Sequence, residues 1–329
     1  MNHLHLLIPD LFPPQDIAAE VCAGLHLPAL ERVLARSTAS ASPIGTLEDW
    51  FCATFGANGV APVRAAADGL AAGEGYWLCA DPVSLQLQRA QMLLLPDVSP
   101  GEEEAAALCA KLNAHFDGMG MQFFAPHPRR WYVRLEAEPQ LATTPLQQVV
   151  WCDAKFHQPQ GADALHWQRI ATEVQMLLYA YPANQAREAR GELLINSLWF
   201  WGGGYTAPLQ RPFDVCGGSS ELAEAFARVA AIPRASSLQG VLGAKGERGL
   251  WVDETLSAAQ QRGDYFAWRE ELQRIEQQCQ FLLRALRTGR LQHLTLEVLQ
   301  DKAAQRFELT PASAWKLWRP AHSLARYAV

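Results

Sequence analysis

The chain has 329 residues, 49% of them hydrophobic and 19% charged, the balance of a soluble globular protein long enough for two domains or for one domain with a sizeable insertion. A net charge of −6 and a pI near 5.9 leave nucleic-acid binding to a local basic patch, and Pro128-Arg129-Arg130 is too short to be one, so no nucleic-acid partner is expected. Seven scattered cysteines without a Cys-x-x-Cys pair exclude a zinc ribbon and predict buried thiols in a reducing compartment, the cytoplasm, while no apolar run approaches a membrane span.

His3 to Ile8 alternates into an apolar strand that stops at Pro9-Asp10. The Met1–Asp10 stretch has neither a cationic start nor a small-residue cleavage site, so it reads as this first strand and not as a signal peptide. Leu27 to Arg36 predicts a helix opened by Pro28. Ser37 to Asp49 reads as a Ser/Thr/Ala-rich loop, with Thr46 and Asp49 able to form a capping box for a helix through Trp50 and Phe51. An alanine-rich helix spans Ala61 to Ala72. From Tyr76 the character changes to strands, at Trp77–Cys79, Val83–Leu87 and Gln91–Leu95. A helix with acids in its first turn then starts at Ser99, and strands at Met121–Phe124 and Trp131–Leu135 follow.

Leu165 to Tyr181 is an amphipathic helix, followed by a turn holding Pro182 and Asn184. The apolar run Leu193 to Trp201 reads as a buried strand that ends in Gly202-Gly203-Gly204, and most of the eleven tryptophans lie in such apolar runs, as core packing requires. Two readings of the glycines stand side by side: a ligand-binding loop at the carboxyl end of a central strand, or a tight turn with Trp199 and Trp201 filling the core. Arg187 and Arg190 with Asn196 and the Gly202–Gly204 loop make the best anion-binding candidate, since forked guanidinium donors and backbone N–H groups suit a phosphate; solvated helix-end charges are the alternative. Farther on, Ser220–Ala230 reads as a helix, Leu250–Glu254 as a strand and Leu291–Leu299 as the last long strand. The helix from Asp264 carries apolar residues three and four apart, as a core helix or a partner seam would, and the tail Trp315–Arg319 pairs two tryptophans with two cations.

The pattern Pro182, Asn184, Arg187, Gly191, Asn196, Trp199, Trp201, Gly202 and Gly204 resembles the central signature of the archaeal-type cofactor-independent phosphoglycerate mutases of the alkaline phosphatase superfamily. It is also similar to a shorter bacterial branch, the RpfE-type regulatory proteins, which keeps the scaffold but not the whole active site. The resemblance implies an α/β fold: an alkaline-phosphatase-like core sheet flanked by helices, from residues 1–75 and 164–329, interrupted by a small inserted α+β domain at 76–163. It also maps metal ligands onto Asp10 and Asp253, and a nucleophile onto Thr46 or Ser42.

Departures from the family pattern point away from catalysis. Leu47 stands where the family has a metal-binding Asp, Gln260–Arg262 stand where it has a ligand His, and the last strand lacks its Asp-His. Asp10 and Asp253 then read as vestigial, and a non-catalytic, regulatory protein with no cofactor is expected, binding a protein partner or a small phosphate-bearing ligand. The alternative is a metal-dependent phosphomutase or phosphatase with a reduced site holding Mn²⁺ or Mg²⁺. A dimerising structural protein is a third reading.

Overall fold

A computed structural model describes residues 1–42, 45–71, 73–300, 304–316 and 318–328. Pro43, Ile44, Ala72 and Leu317, which the sequence puts in the Ser37–Asp49 loop, at a helix end and in the tail, lie outside the described residues. In chain order the strands are β1 His3–Leu7, β2 Thr38–Ser42, β3 Tyr76–Gln88, β4 Gln91–Leu95, β5 Met121–His127, β6 Arg130–Leu135, β7 Ser197–Tyr205, β8 Val215–Gly218, β9 Arg234–Ala235, β10 Arg248–Val252, β11 His293–Val298 and β12 Ala304–Leu309. They divide between two units, Met1–Phe55 with Leu209–Val329, and Gly56–Pro208.

The first unit holds a seven-stranded sheet in the order β2-β12-β11-β1-β10-β8-β9. From β11 to β9 the strands run parallel, and β12 and β2 add an antiparallel edge. Alternation along β1 sorts its side chains. Leu4 and Leu6 join Leu294, Leu296, Val298 and Trp251 in a core under the helices Pro28–Arg36 and Tyr265–Arg287. The long helix earns that place by spacing, with Trp268, Leu272, Ile275, Cys279, Leu282 and Leu286 all buried on one stripe. His3, His5, Thr295 and Glu297 leave the sheet on the opposite face, where Trp50 packs edge-on to His5 and Phe51 packs against Phe226.

The second unit is a five-stranded antiparallel sheet: β6 and β7 flank the first half of β3, β4 pairs its second half, and β5 lies beyond β6. Helices Glu102–His115 and Ala164–Tyr179 contribute Leu108, Leu112, Trp167, Ile170 and Val174 to its core. Its densest polar feature is the Arg64 guanidinium, which makes two bonds to Asp81 (3.0 and 3.3 Å) between the rings of Trp201 and Tyr132. Trp201 Nε1 donates to the same carboxylate at 2.9 Å, so helix Val60–Ala67 is fixed to β3 and β7 by one buried ion pair.

Four expectations change. The joins expected at 75/76 and 163/164 fall instead at 55/56 and 208/209, because the strand after Arg190 pairs with β3 and not with β1. That strand starts at Ser197 and contains the three glycines rather than ending at them. The run opposite β12 is a strand, β2, whose small residues carry no apolar period and whose extended state comes from its partner. Pro182 opens a helix, Pro182–Ala189, as proline does at a first turn.

Candidate functional site

In sheets of this kind ligands gather at the carboxyl ends of the parallel strands. In the first unit those ends bring together Asp10 after β1, Ser219 and Ser220 after β8, Asp253 and Glu254 after β10, and Glu297 near the end of β11. Asp10 takes a left-handed conformation, φ 56°, which an aspartate tolerates better than most residues. Its N–H donates to Leu299 O, and its carbonyl accepts from Trp268 Nε1.

Asp253 is 1% exposed. Its Oδ1 accepts from Arg274 Nη2 at 2.9 Å and from Thr255 Oγ1 at 2.7 Å, while Oδ2 accepts from Gln278 Nε2 at 3.0 Å. Burial alone would push this carboxyl up, but the bonds from Arg274 and Thr255, the arginine charge and Gln278 outweigh it and hold Asp253 below the usual range. The neighbouring Glu254 behaves oppositely. Burial raises it to about 7 against a bond from Ser220, and the charges of Glu221, Asp253 and Asp10 add to the rise. Its Oε1 is buried with no hydrogen-bond partner among the described residues.

Glu297 is completely buried on the other face of the sheet. Its carboxylate lies 2.8 Å from His5 Nε2 and accepts from Ser42 Oγ at 2.6 Å, Trp50 Nε1 at 3.0 Å and Arg306 Nη2 at 3.3 and 3.4 Å. Burial would raise it, but the His5 and Ser42 bonds, the His5 charge and the Trp50 bond hold it down at about 2. Next to it, His3 packs at a tilt against His293 with ring centroids 4.6 Å apart. Burial, aided by the charges of His293, His5, Arg248 and Arg306, lowers His3 to about 4.

Thr46 caps the helix Leu47–Phe55: its Oγ1 accepts from Asp49 N at 3.0 Å and its carbonyl from Trp50 N. Ser42, the other candidate nucleophile, is bound to Glu297 and sits at the end of edge strand β2.

A pair of divalent ions needs several oxygen or nitrogen ligands turned toward one volume. Among the described residues no group of three or more His, Cys, Asp and Glu side chains is arranged to hold a metal. Asp253 faces the long helix while Glu297 faces Trp50, and the described donors of neighbouring residues already occupy both carboxylates. Glu254, at about 7, is close to half neutral at neutral pH. The side chains as arranged do not fit a two-metal centre.

The anion-binding candidates lie in the second unit and are spread along it. Arg187 is 2% exposed and bonds Glu104 at 2.8 Å and Leu193 O at 2.8 Å, so it fixes the loop before β7. Arg190 is exposed and forked onto Glu192. Asn196 exchanges two bonds with the Leu85 backbone, in place of a strand partner. At about 3.3 Å per strand residue, Asn196 stands roughly 20 Å from Gly202–Gly204, so these residues do not converge on one anion.

The glycines answer to packing. β7 carries an extra residue between Trp201 and Gly204 against Trp77–Cys79 of β3, a bulge in which Gly202 has φ +68°. A Cβ on Gly203 would stand 2.3 Å from the Tyr76 hydroxyl, and one on Gly204 2.7 Å from Asn58 O. Gly59 in turn would meet Gly203 O at 2.1 Å, so two glycine backbones touch where the chain enters helix Val60–Ala67.

Arg274, Gln278 and Glu297 were missed in the sequence. Arg274 and Gln278 lie four apart on a helix, a spacing that reads as a solvent face. The signal for Glu297 was present, because an acid in the run His293–Val298 shares the parity of His293 and Thr295, opposite the leucines.

No protein-family model matches the chain, and no curated protein matches it. Among solved structures it is similar to PH0037 protein from Pyrococcus horikoshii, with a TM-score of 0.57 and 10% identity over 94% of this chain and 87% of that one. It is also similar to the cofactor-independent phosphoglycerate mutase from Thermoplasma acidophilum, with a TM-score of 0.50 and 10% identity over 99% of this chain and 94% of that one. At such identity the likeness shows the fold alone: a phosphoglycerate mutase-like α/β fold with a mixed central sheet flanked by helices and a second, smaller antiparallel sheet. No helix among the described residues is long and apolar enough to cross a membrane.

Proposed function

We propose that this chain is a non-catalytic relative of the phosphoglycerate mutases, of the bacterial RpfE-type regulatory kind, acting in the cytoplasm by binding a protein partner or a small phosphate-bearing ligand. One observation carries the reading: Asp253, which the family resemblance makes a metal ligand, has both oxygens taken by Arg274, Thr255 and Gln278. Thr46 supports it, because its hydroxyl serves a helix cap and the next residue is Leu47, which has no ligand atom. Without a metal-assisted alkoxide, a serine or threonine hydroxyl is a poor nucleophile at neutral pH.

A second reading, a metal-dependent phosphomutase or phosphatase with a reduced site, is favoured by the unpartnered Oε1 of Glu254 beside Asp253 and Asp10. Labelled 3-phosphoglycerate with Mn²⁺ or Mg²⁺ separates the two. No interconversion with 2-phosphoglycerate is expected, and metal-dependent turnover abolished by Asp10→Ala or Asp253→Ala would establish the second reading.

A further inference from the structure

The carboxylate at the end of β10 has a cation beside it and hydrogen-bond donors on both oxygens. Three residues on one stripe of helix Tyr265–Arg287, Glu271, Arg274 and Gln278, stand three and four apart and face it. Glu271 Oε2 accepts from Arg274 Nε at 2.9 Å, which sets the plane of the guanidinium. Arg274 Nη2 reaches Asp253 Oδ1 at 2.9 Å and the Thr255 hydroxyl by a short bond, and Gln278 closes on Oδ2 at 3.0 Å. The arginine is 41% exposed and the aspartate 1%, so the cation covers the buried acid from the solvent side, where a bound ion would otherwise enter.

We infer that Arg274 is the built-in counter-ion of this strand end: its guanidinium, aimed by Glu271, occupies the cation position at Asp253 and makes the carboxyl edge independent of divalent metal. The inference rests on the non-catalytic reading and deepens it by naming what stands in the metal's place. An arginine suits the role because it stays charged at every working pH and its fixed donors serve two acids at once, Nε on Glu271 and Nη2 on Asp253. Removing it strands a buried charge, whereas removing both partners does not, which makes the pair separable by experiment.

The test uses the full chain in four forms, wild type, Arg274→Met, Asp253→Asn and the double variant, each unfolded thermally in EDTA and in Mn²⁺, with manganese measured after desalting. Wild type is expected to retain no stoichiometric manganese and to show the same Tm in both buffers. Arg274→Met should lower Tm by about 4 °C or more, and adding Asp253→Asn to it should recover most of the loss. Three results overturn the inference: stoichiometric manganese with a raised Tm in wild type, an Arg274→Met protein as stable as wild type, or a double variant no better than the single. Should Arg274→Met fail to fold, the wild-type metal measurement and the double variant still decide. Phosphoglycerate turnover without manganese at Asp253 sinks the non-catalytic reading and leaves the counter-ion standing, while manganese uptake by an inactive protein does the reverse.

Discussion

Glu276 offers the sharpest energetic test of how the first unit is held together. It is 4% exposed, on the long helix, and its carboxylate meets the amino end of helix Pro28–Arg36, accepting from Ala29 N at 2.9 and 3.0 Å and from Leu30 N at 2.8 Å. That helix has Leu27 at its N-cap with no side-chain cap, Pro28 brings no N–H, and Glu31 N already bonds Leu27 O. Ala29 and Leu30 are therefore the donors of the first turn without a local partner, and Glu276 satisfies both from another helix. Each charge-assisted bond is worth about 1.5 kcal/mol, and the helix dipole adds about 0.5 kcal/mol. Glu276→Ala should therefore cost about 3 to 4 kcal/mol, read as a lower urea midpoint at unchanged slope. Glu276→Gln, which keeps an acceptor but loses the charge, should fall between it and wild type. Gln277→Ala, on the exposed side of the same helix, is the control and should stay within about 0.5 kcal/mol. If Glu276→Ala unfolds at the wild-type midpoint, the idea that one carboxylate caps a helix in trans is wrong.

Two further outcomes follow from the same contacts. Between pH 6.5 and about 4 the unfolded chain takes up a proton on His3 that the folded chain refuses, and between 4.5 and about 2 the same holds for Glu297. Glu254, raised from 4.5 to about 7, works the other way between those values and offsets the His3 loss in the wild type, so each loss is read by difference: His3→Asn should gain on wild type as pH falls from 7 to 4, and Glu297→Gln should flatten the loss below 4.5; a His3→Asn midpoint that tracks wild type from pH 7 to 4 contradicts the first. Gly204→Ala forces a Cβ to 2.7 Å from Asn58 O and should cost about 2 kcal/mol or more, whereas Gly73→Ala meets nothing within 4 Å and should be neutral to thermal unfolding.

Elements whose own period carries the information were legible in the sequence. The helix Tyr265–Arg287 declares itself by a buried residue every three or four positions, and β1 by alternation from His3 to Leu6. β2 was hidden because Thr38–Ser42 has no large apolar residue, so only pairing with β12 makes it a strand. The apolar run before the glycines announced a strand but not its sheet, and the glycines looked terminal because the reason for them, Gly59 and Tyr76, lies more than a hundred residues earlier in the chain. Of the candidate site, the strand-end acids Asp10 and Asp253 were readable by position. Their partners were not, since Arg274 and Gln278 sit where a helix normally shows charge to water.

The buried acids of the first unit share one physical problem and solve it from different directions. A carboxylate out of water costs several kcal/mol unless donors surround it, so losing a metal from such a position leaves a charge that must be neutralised or deleted. Asp253 keeps its charge and is met by a guanidinium, a hydroxyl and an amide. Glu297 keeps its charge and draws on β1, β2, β12 and the helix of Trp50, and Glu276 takes two backbone N–H groups. Glu297 and Glu276 draw donors from elements more than two hundred residues away and so join the two ends of the chain, whereas the donors of Asp253 come from the same strand end and the long helix that follows it. Glu254 follows the other course: against a bond from Ser220, burial lifts it to about 7, so that near neutral pH it is about half protonated. With a Ser220 bond set against burial and three neighbouring acids, Glu254 divides between its two forms near neutral pH, while Asp253 and Glu297, each met by at least three donor residues, are held ionised.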